Sequence, residues 1–352
     1  MKRIISMILT VAVLLTFYAC AAEKNTPSGN ESGASQTTGA TEFNATNTAS
    51  TDVASVKGAT FRVYSLKGPT SMGLVTLLRD SREGKTVNTY ESNLCTAADE
   101  VTDAIVSGEA DIALLPANAA ATLFNKAGGF SVMGINTLGV LYVVENGDTV
   151  QSIEDLAGKT VCLTGKGTTP EYALRYLLAA HGIEDQVNLE FKSEAQEVVA
   201  AMTENAANIG VLPQPFATAA MVQNETLRQA LDLTKEWSAV TQDSTLVTGV
   251  TVVRNEVLEQ YPDQITAFLR EQESGVAAVN AHPDEAAKLI EELGIVAKAP
   301  IAEKAIPFCN LVSITGREMK TLLSGYLQTL FEREPKSVGG AMPADNFYYT
   351  GE

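Results

Sequence analysis

Residues Ala98–Pro116 read ADEVTDAIVSGEADIALLP, and residues Ala195–Pro213 read AQEVVAAMTENAANIGVLP. A shift of 97 positions aligns the two without a gap. Glu100 then falls on Glu197, Val101 on Val198, Ile112 on Ile209, Leu115 on Leu212 and Pro116 on Pro213. Each copy starts as an amphipathic helix and ends in a short apolar run that suits a buried strand. The same shift sets Gly68 of SLKGPTS on Gly165 of CLTGKGT. Strand, glycine turn, helix, strand and proline therefore occur twice. Self-similarity over this distance indicates two lobes built alike.

Strand and helix patterns alternate outward from the repeat. ATFRVYSLKG, TVNTYES and ADIALLP read as strands. SMGLVTLLRDS, with Leu74, Leu77 and Leu78 on one face, reads as a helix, as do AADEVTDAIVSG and ANAAATLFNKAG. FSVMGINTLGVLYVVENG is one long extended stretch. Such alternation predicts an α/β fold with mainly parallel sheets. Open sheets of this kind bind ligands at the carboxyl ends of their strands. In the first lobe those ends lead into the turns with Gly68, Pro69, Thr70 and Ser71, and with Pro116 and Asn118. In the second they lead into Gly165, Gly167, Thr168 and Thr169, and into Pro213, Gln214 and Phe216. Two facing lobes would turn four helix N-termini toward one cleft.

The turn TGKGTTPEYALRYLL carries the most specific local chemistry. Thr168 followed three residues later by Glu171 predicts a capping box, and Pro170 suits a first helical turn. Gly165 and Gly167 allow close approach of the backbone to a ligand. Free N–H groups at a helix start favour an anion or another acceptor. It is not a phosphate-binding Walker loop, because Lys166 precedes Gly167.

The formal net charge is −17, and the loss of Lys2 and Arg3 with a signal would make it −19. No basic footprint for nucleic acid is present. Cys95, Cys162 and Cys309 lack metal-ligand spacing and sit in apolar company, which predicts packing residues rather than a zinc site or a disulfide framework. His181 and His282 fall at predicted helix ends, before Gly182 and Pro283. No Ser-His-Asp ordering is visible, so the reading is a binding protein that is not an enzyme and needs no cofactor.

The N-terminus predicts export. Lys2 and Arg3 precede an apolar run from Ile4 to Leu15, too short to span a bilayer as a mature helix. Residues 1–19 read as a signal peptide, with Ala19–Cys20 resembling a bacterial lipobox in which Cys20 is lipidated. Phe17 and Tyr18 stand where Leu and a small residue are usual. Residues 20–56 are polar and poor in apolar content, as a tether or a glycosylated stalk would be.

LKGPTSMGLVTLL, GEADIALLPANAAATL, SIEDLAGKTV and GKGTTPEYALRYLL together resemble the NMT1/THI5-like, or SsuA/TauA-like, substrate-binding lipoproteins of ABC importers. The resemblance implies a type II periplasmic-binding-protein fold with hinge crossovers near GINTLGVLYVV and LVTGVTVVRNE. The first lobe would then hold residues 57–145 and 246–352, and the second 146–245. It also implies a small-molecule ligand, a permease and ATPase as partners, a membrane reached through the lipid anchor, and a monomer. Family ligands include nitrate, taurine, sulfonates and a pyrimidine precursor. The four turns contain no Arg; Lys67 and Lys166 are their cations. Asn118 and Gln214 could hydrogen-bond an amide or a heterocycle, Thr137 lies at the expected first crossover, and Phe216, Tyr142, Tyr172 or Trp237 could stack on a ring. A sulfonate and a heterocycle both remain open at this level. So do a surface sensor or adhesin, and the TAXI type of binding protein of a TRAP transporter.

Overall fold

The strands are β1 (Thr60–Leu66), β2 (Thr89–Cys95), β3 (Ile112–Pro116), β4 (Phe130–Leu138), β5 (Leu141–Asn146), β6 (Thr160–Leu163), β7 (Asn188–Phe191), β8 (Ile209–Pro213), β9 (Leu227–Asp232), β10 (Val247–Arg254) and β11 (Leu311–Ile314). The helices are α1 (Pro69–Met72), α2 (Val75–Arg82), α3 (Ala98–Ser107), α4 (Ala117–Ala127), α5 (Thr169–Ala180), α6 (Ala195–Thr203), α7 (Phe216–Gln223), α8 (Leu233–Val240), α9 (Asn255–Gln260), α10 (Pro262–Ala281), α11 (Pro283–Glu292), α12 (Ala299–Ala305) and α13 (Gly316–Arg333). The computed structural model describes residues 57–241 and 244–351. The expected signal, the lipidated Cys20 and the tether lie outside the described residues.

The strands form two sheets, ordered β11-β4-β10-β3-β1-β2 and β7-β6-β8-β5-β9. The repeat maps onto them residue for residue. Helix α3 starts at Ala98 and α6 at Ala195; β3 runs Ile112–Pro116 and β8 runs Ile209–Pro213. Each of these strands lies beside one parallel strand, β1 or β6, and one antiparallel strand, β10 or β5. In both sheets that antiparallel neighbour is the first strand after the chain has crossed from the other lobe. A crossing chain enters from the opposite end, so its first strand runs against the parallel strands beside it.

Residues of the central strands β3, β4, β5, β8 and β10 are buried on both faces, as expected where helices cover both sides of a sheet. Ile112 and Leu114 join Phe61, Val63 and Phe268 on one face of the first sheet. Ala113 and Leu115 point the other way, into a cluster that also contains Ile135, Leu163 and Val211 and so spans both sheets. The long extended stretch is two strands in different sheets, broken at Gly139 and Val140. A Cβ at Gly139 would lie 2.2 Å from Thr234 Oγ1 and 2.3 Å from Leu246 Cδ2, so a glycine permits the crossing there. This moves the expected lobe boundary. Strand β5 pairs with β8 and β9, so the chain leaves the first sheet between Leu138 and Leu141 rather than at residue 145. The crossover is expected in this stretch, near GINTLGVLYVV, but the apolar residues Val140–Val144 that follow Gly139 do not show which sheet they join. The return passes from Asp232 through α8 to Val247. The predicted helix after Lys67 is also divided, into α1 and α2 around Gly73 and Leu74, although Leu74, Leu77 and Leu78 are buried together as predicted.

Candidate ligand-binding cleft

The carboxyl ends of β3 and β8 face the same space from the two lobes. Pro116 ends β3 opposite Gly249 of β10, and Pro213 ends β8 opposite Leu141 of β5. Between these ends lies a cleft of about 370 Å³. From the first lobe it is lined by Pro116, Asn118 and Thr248, and from the second by Thr168, Thr169 and Pro213, with Val140 of the crossover between them. A volume of this size falls in the range of small-molecule sites. Among the described residues lining the cleft, none carries a charge.

Three of the predicted site residues meet here: Asn118 in the first turn of α4, Thr168 at the start of α5, and Thr169. Asn118 is half-buried, and its amide makes no hydrogen bond among the described residues. The fully buried Tyr326 hydroxyl of α13 approaches Thr169 and has no partner in hydrogen-bond geometry.

The remaining predicted residues are placed elsewhere. Thr70 and Ser71 donate their hydroxyls to the Leu66 carbonyl, at 2.8 and 2.5 Å, and so finish β1. Gly68 and Pro69 belong to that same turn, which does not line the cleft. Thr137 is fully buried and donates to Asn136 Oδ1 at 2.8 Å. Gln214 is buried; its backbone N–H donates to the Val140 carbonyl at 2.9 Å, and its Oε1 accepts from Thr218 Oγ1 at 2.8 Å. Phe216 packs against the cluster of Val198 and Leu212. Trp237 is the clear correction. It is fully buried, its Nε1 donates to Ser244 Oγ at 3.1 Å, and its ring lies 4.3 Å from that of Tyr176 and 5.7 Å from that of Tyr326. Its faces belong to the core and are unavailable to a ligand.

The α5 turn departs from the expected capping box. Gly165 and Gly167 have φ of 77° and 73°, which explains both glycines. Thr168 Oγ1 donates back to the Gly165 carbonyl at 2.7 Å rather than capping the helix. Glu171 Oε2 accepts the Gly167 N–H at 2.7 Å, one residue before the expected partner, and Glu171 Oε1 pairs with Arg175 Nε at 2.7 Å. Burial would raise the Glu171 carboxyl, but the Gly167 N–H and Arg175 outweigh it and hold it below its usual range. Lys166 Nζ lies over the Phe191 ring, 5.7 Å from its centroid, and Lys67 Nζ lies against Gly294.

The sequence reading missed Val140, Leu141 and Thr248. Their signal was positional: they stand in the two segments where crossovers were expected, and Thr248 is a half-buried polar residue in an apolar strand.

A family model described as NMT1/THI5 like matches residues 90–286. The chain belongs to the NMT1/THI5-like family. Among curated proteins, none matches it. Solved structures share the fold of this NMT1/THI5-like chain. An ABC transporter protein from Parabacteroides distasonis is 24% identical with a TM-score of 0.69, over 82% of this chain and 98% of that one. The periplasmic aliphatic sulphonate binding protein SsuA from Escherichia coli is 16% identical with a TM-score of 0.62, over 81% and 92%. The periplasmic nitrate-binding protein NrtA from Synechocystis PCC 6803 is 15% identical with a TM-score of 0.52, over 75% of each. Cys95, Cys162 and Cys309 of this NMT1/THI5-like protein are free and buried. His181 ends α5, with Nδ1 2.7 Å from Glu154 Oε1, and His282 lies between α10 and α11. Neither lines the cleft.

Proposed function

We propose that the protein is the extracytoplasmic solute-binding component of an ABC importer. It holds a small molecule between its lobes and presents the closed form to a membrane permease coupled to an ATPase. The supporting observation is the cleft itself. Repeat-related strand ends, Pro116 and Pro213, border one uncharged space at the crossovers. A ligand touching both walls binds the closed arrangement better than the open one, and this difference drives closure. Membership of the NMT1/THI5-like family and the import proteins among its structural neighbours support the same reading.

No bond is made or broken in this role, and the protein is not an enzyme. The protein works as a monomer. Cys20 carries the lipid that anchors it outside the membrane, and residues 20–56 give the binding lobes reach. Labelling with radioactive palmitate tests the anchor: the label should be lost in Cys20→Ala. Solute uptake by cells that lack the chain tests the import role. Uptake should fall and return with the intact gene; undiminished uptake of every solute that the purified chain binds would overturn it.

A further inference from the structure

We propose that the ligand of this cleft is uncharged, a small organic molecule with an apolar face and one hydrogen-bonding edge, and that the cleft rejects oxyanions. This rests on the import reading and narrows it.

An oxyanion held out of water needs cationic partners or a concentration of N–H donors, because desolvating an unpaired charge is costly. The cleft supplies no cation. Its described lining contains no charged side chain. Lys166 is drawn to Phe191, Lys67 lies by Gly294, and Arg175 is paired with Glu171 and Glu184. The backbone donors are also depleted. A proline stands at each helix start that the repeat turns toward the carboxyl edges: Pro69 in α1, Pro116 before α4, Pro170 in α5 and Pro215 before α7. Proline has no N–H.

Several of the donors that remain in these turns are occupied, while the buried Gln214 Nε2 is left without a partner. The Gly167 N–H already holds a carboxylate, that of Glu171, and the Gln214 N–H is held by the Val140 carbonyl. The Thr168 hydroxyl donates to Gly165, and those of Thr70 and Ser71 donate to Leu66. Glu171 therefore sits where an anion would complement the α5 dipole, and its charge repels a second one.

What is left is apolar surface from Val140, Leu141, Ala119 and the prolines, with the unpaired Asn118 amide at one side. An amide offers both donors and an acceptor, so it reads a neutral polar edge. The space of about 370 Å³ suits a ring-sized molecule better than a bare oxyanion.

The test uses the full chain purified in detergent from its source membranes. Denaturation releases the bound solute for identification by mass spectrometry, and the emptied, refolded chain is titrated with ethanesulfonate, nitrate and sulfate beside that solute. The expected result is a solute without formal charge at pH 7, bound at least about tenfold more tightly than any of the three anions. Release of a sulfonate, carboxylate or phosphate, or equal binding of one of the three anions, would overturn the inference and leave the import reading standing. No released solute and no binding of any small molecule would overturn the import reading, and this inference with it.

Discussion

The Tyr142 hydroxyl donates to the Phe308 carbonyl at 2.7 Å, joining a strand of the second lobe to the turn that follows α12 in the first. The two rings meet edge to face, 6.2 Å between centroids. Burial pushes the Tyr142 phenol up, so it remains a donor at every physiological pH. Tyr142→Phe leaves the Phe308 carbonyl without this partner. The expected cost is about 1–2 kcal/mol of stability, read as a lower thermal midpoint with the fold intact by circular dichroism.

The cleft reading separates residues that the sequence grouped together. Asn118→Ala should weaken solute binding about five- to tenfold, the value of one neutral hydrogen bond, and leave stability nearly unchanged. Thr169→Trp should abolish binding by filling the cleft. Trp237→Ala should cost about 3–5 kcal/mol of stability, because it empties a closely packed site. Trp237→Phe should keep the solute affinity of the natural chain. Calorimetric titration and thermal unfolding of the same variants distinguish these outcomes; loss of affinity in Trp237→Phe would return Trp237 to the binding site.

Acid should unfold the protein through two buried carboxylates. Burial alone would raise Glu145, but Thr149 and Val150 donate to it, Arg228 pairs with it at 2.6 Å, and its pKa is lowered. Burial would likewise raise Asp111, but Arg62 at 2.6 Å and Arg254 at 3.6 Å hold it low. A depressed folded-state pKa stabilises the fold above the unfolded value, about 4, and the contribution disappears as the pH falls through the folded value. Urea melts should therefore give constant stability from these groups near neutrality and a decline below about pH 4. Glu145→Gln should flatten part of that decline while lowering stability at pH 7.

The crossover should resist enlargement. Gly139→Ala would place a methyl group 2.2 Å from Thr234 Oγ1 and 2.3 Å from Leu246 Cδ2. Shifting α8 or the Leu246 side chain to make room should cost about 1–3 kcal/mol. The same shift alters how the lobes meet, so solute affinity should fall together with the unfolding midpoint. Affinity unchanged beside full stability would show that the hinge tolerates the added volume.

Both the repeat and its placement in the fold could be read from the residues. Helix α3 and strand β3 recur as α6 and β8 at the same shift because each pair buries the same pattern against the same kind of neighbours. Asn118, Thr168 and Thr169 were legible as cleft residues, because strand ends and helix starts can be located from patterning. Thr70, Ser71 and Gln214 were not separable from them. Their side chains turn back onto Leu66 and Thr218, and sequence spacing does not encode that direction. Trp237 misled because a single tryptophan looks the same in a list whether it lines a cleft or lies between Tyr176 and Tyr326.

By itself the sequence determined the α/β class, the doubling of the lobe and the family, because hydrophobic periodicity and an ungapped repeat are properties of the chain alone. Tertiary structure decided the crossing at Gly139, the sheet to which β5 belongs and the loss of charge from the cleft. Those depend on which groups find each other across the fold. The Gly167 N–H could have met a ligand, but Glu171, four residues onward in the chain and turned back by the first turn of α5, reaches it first.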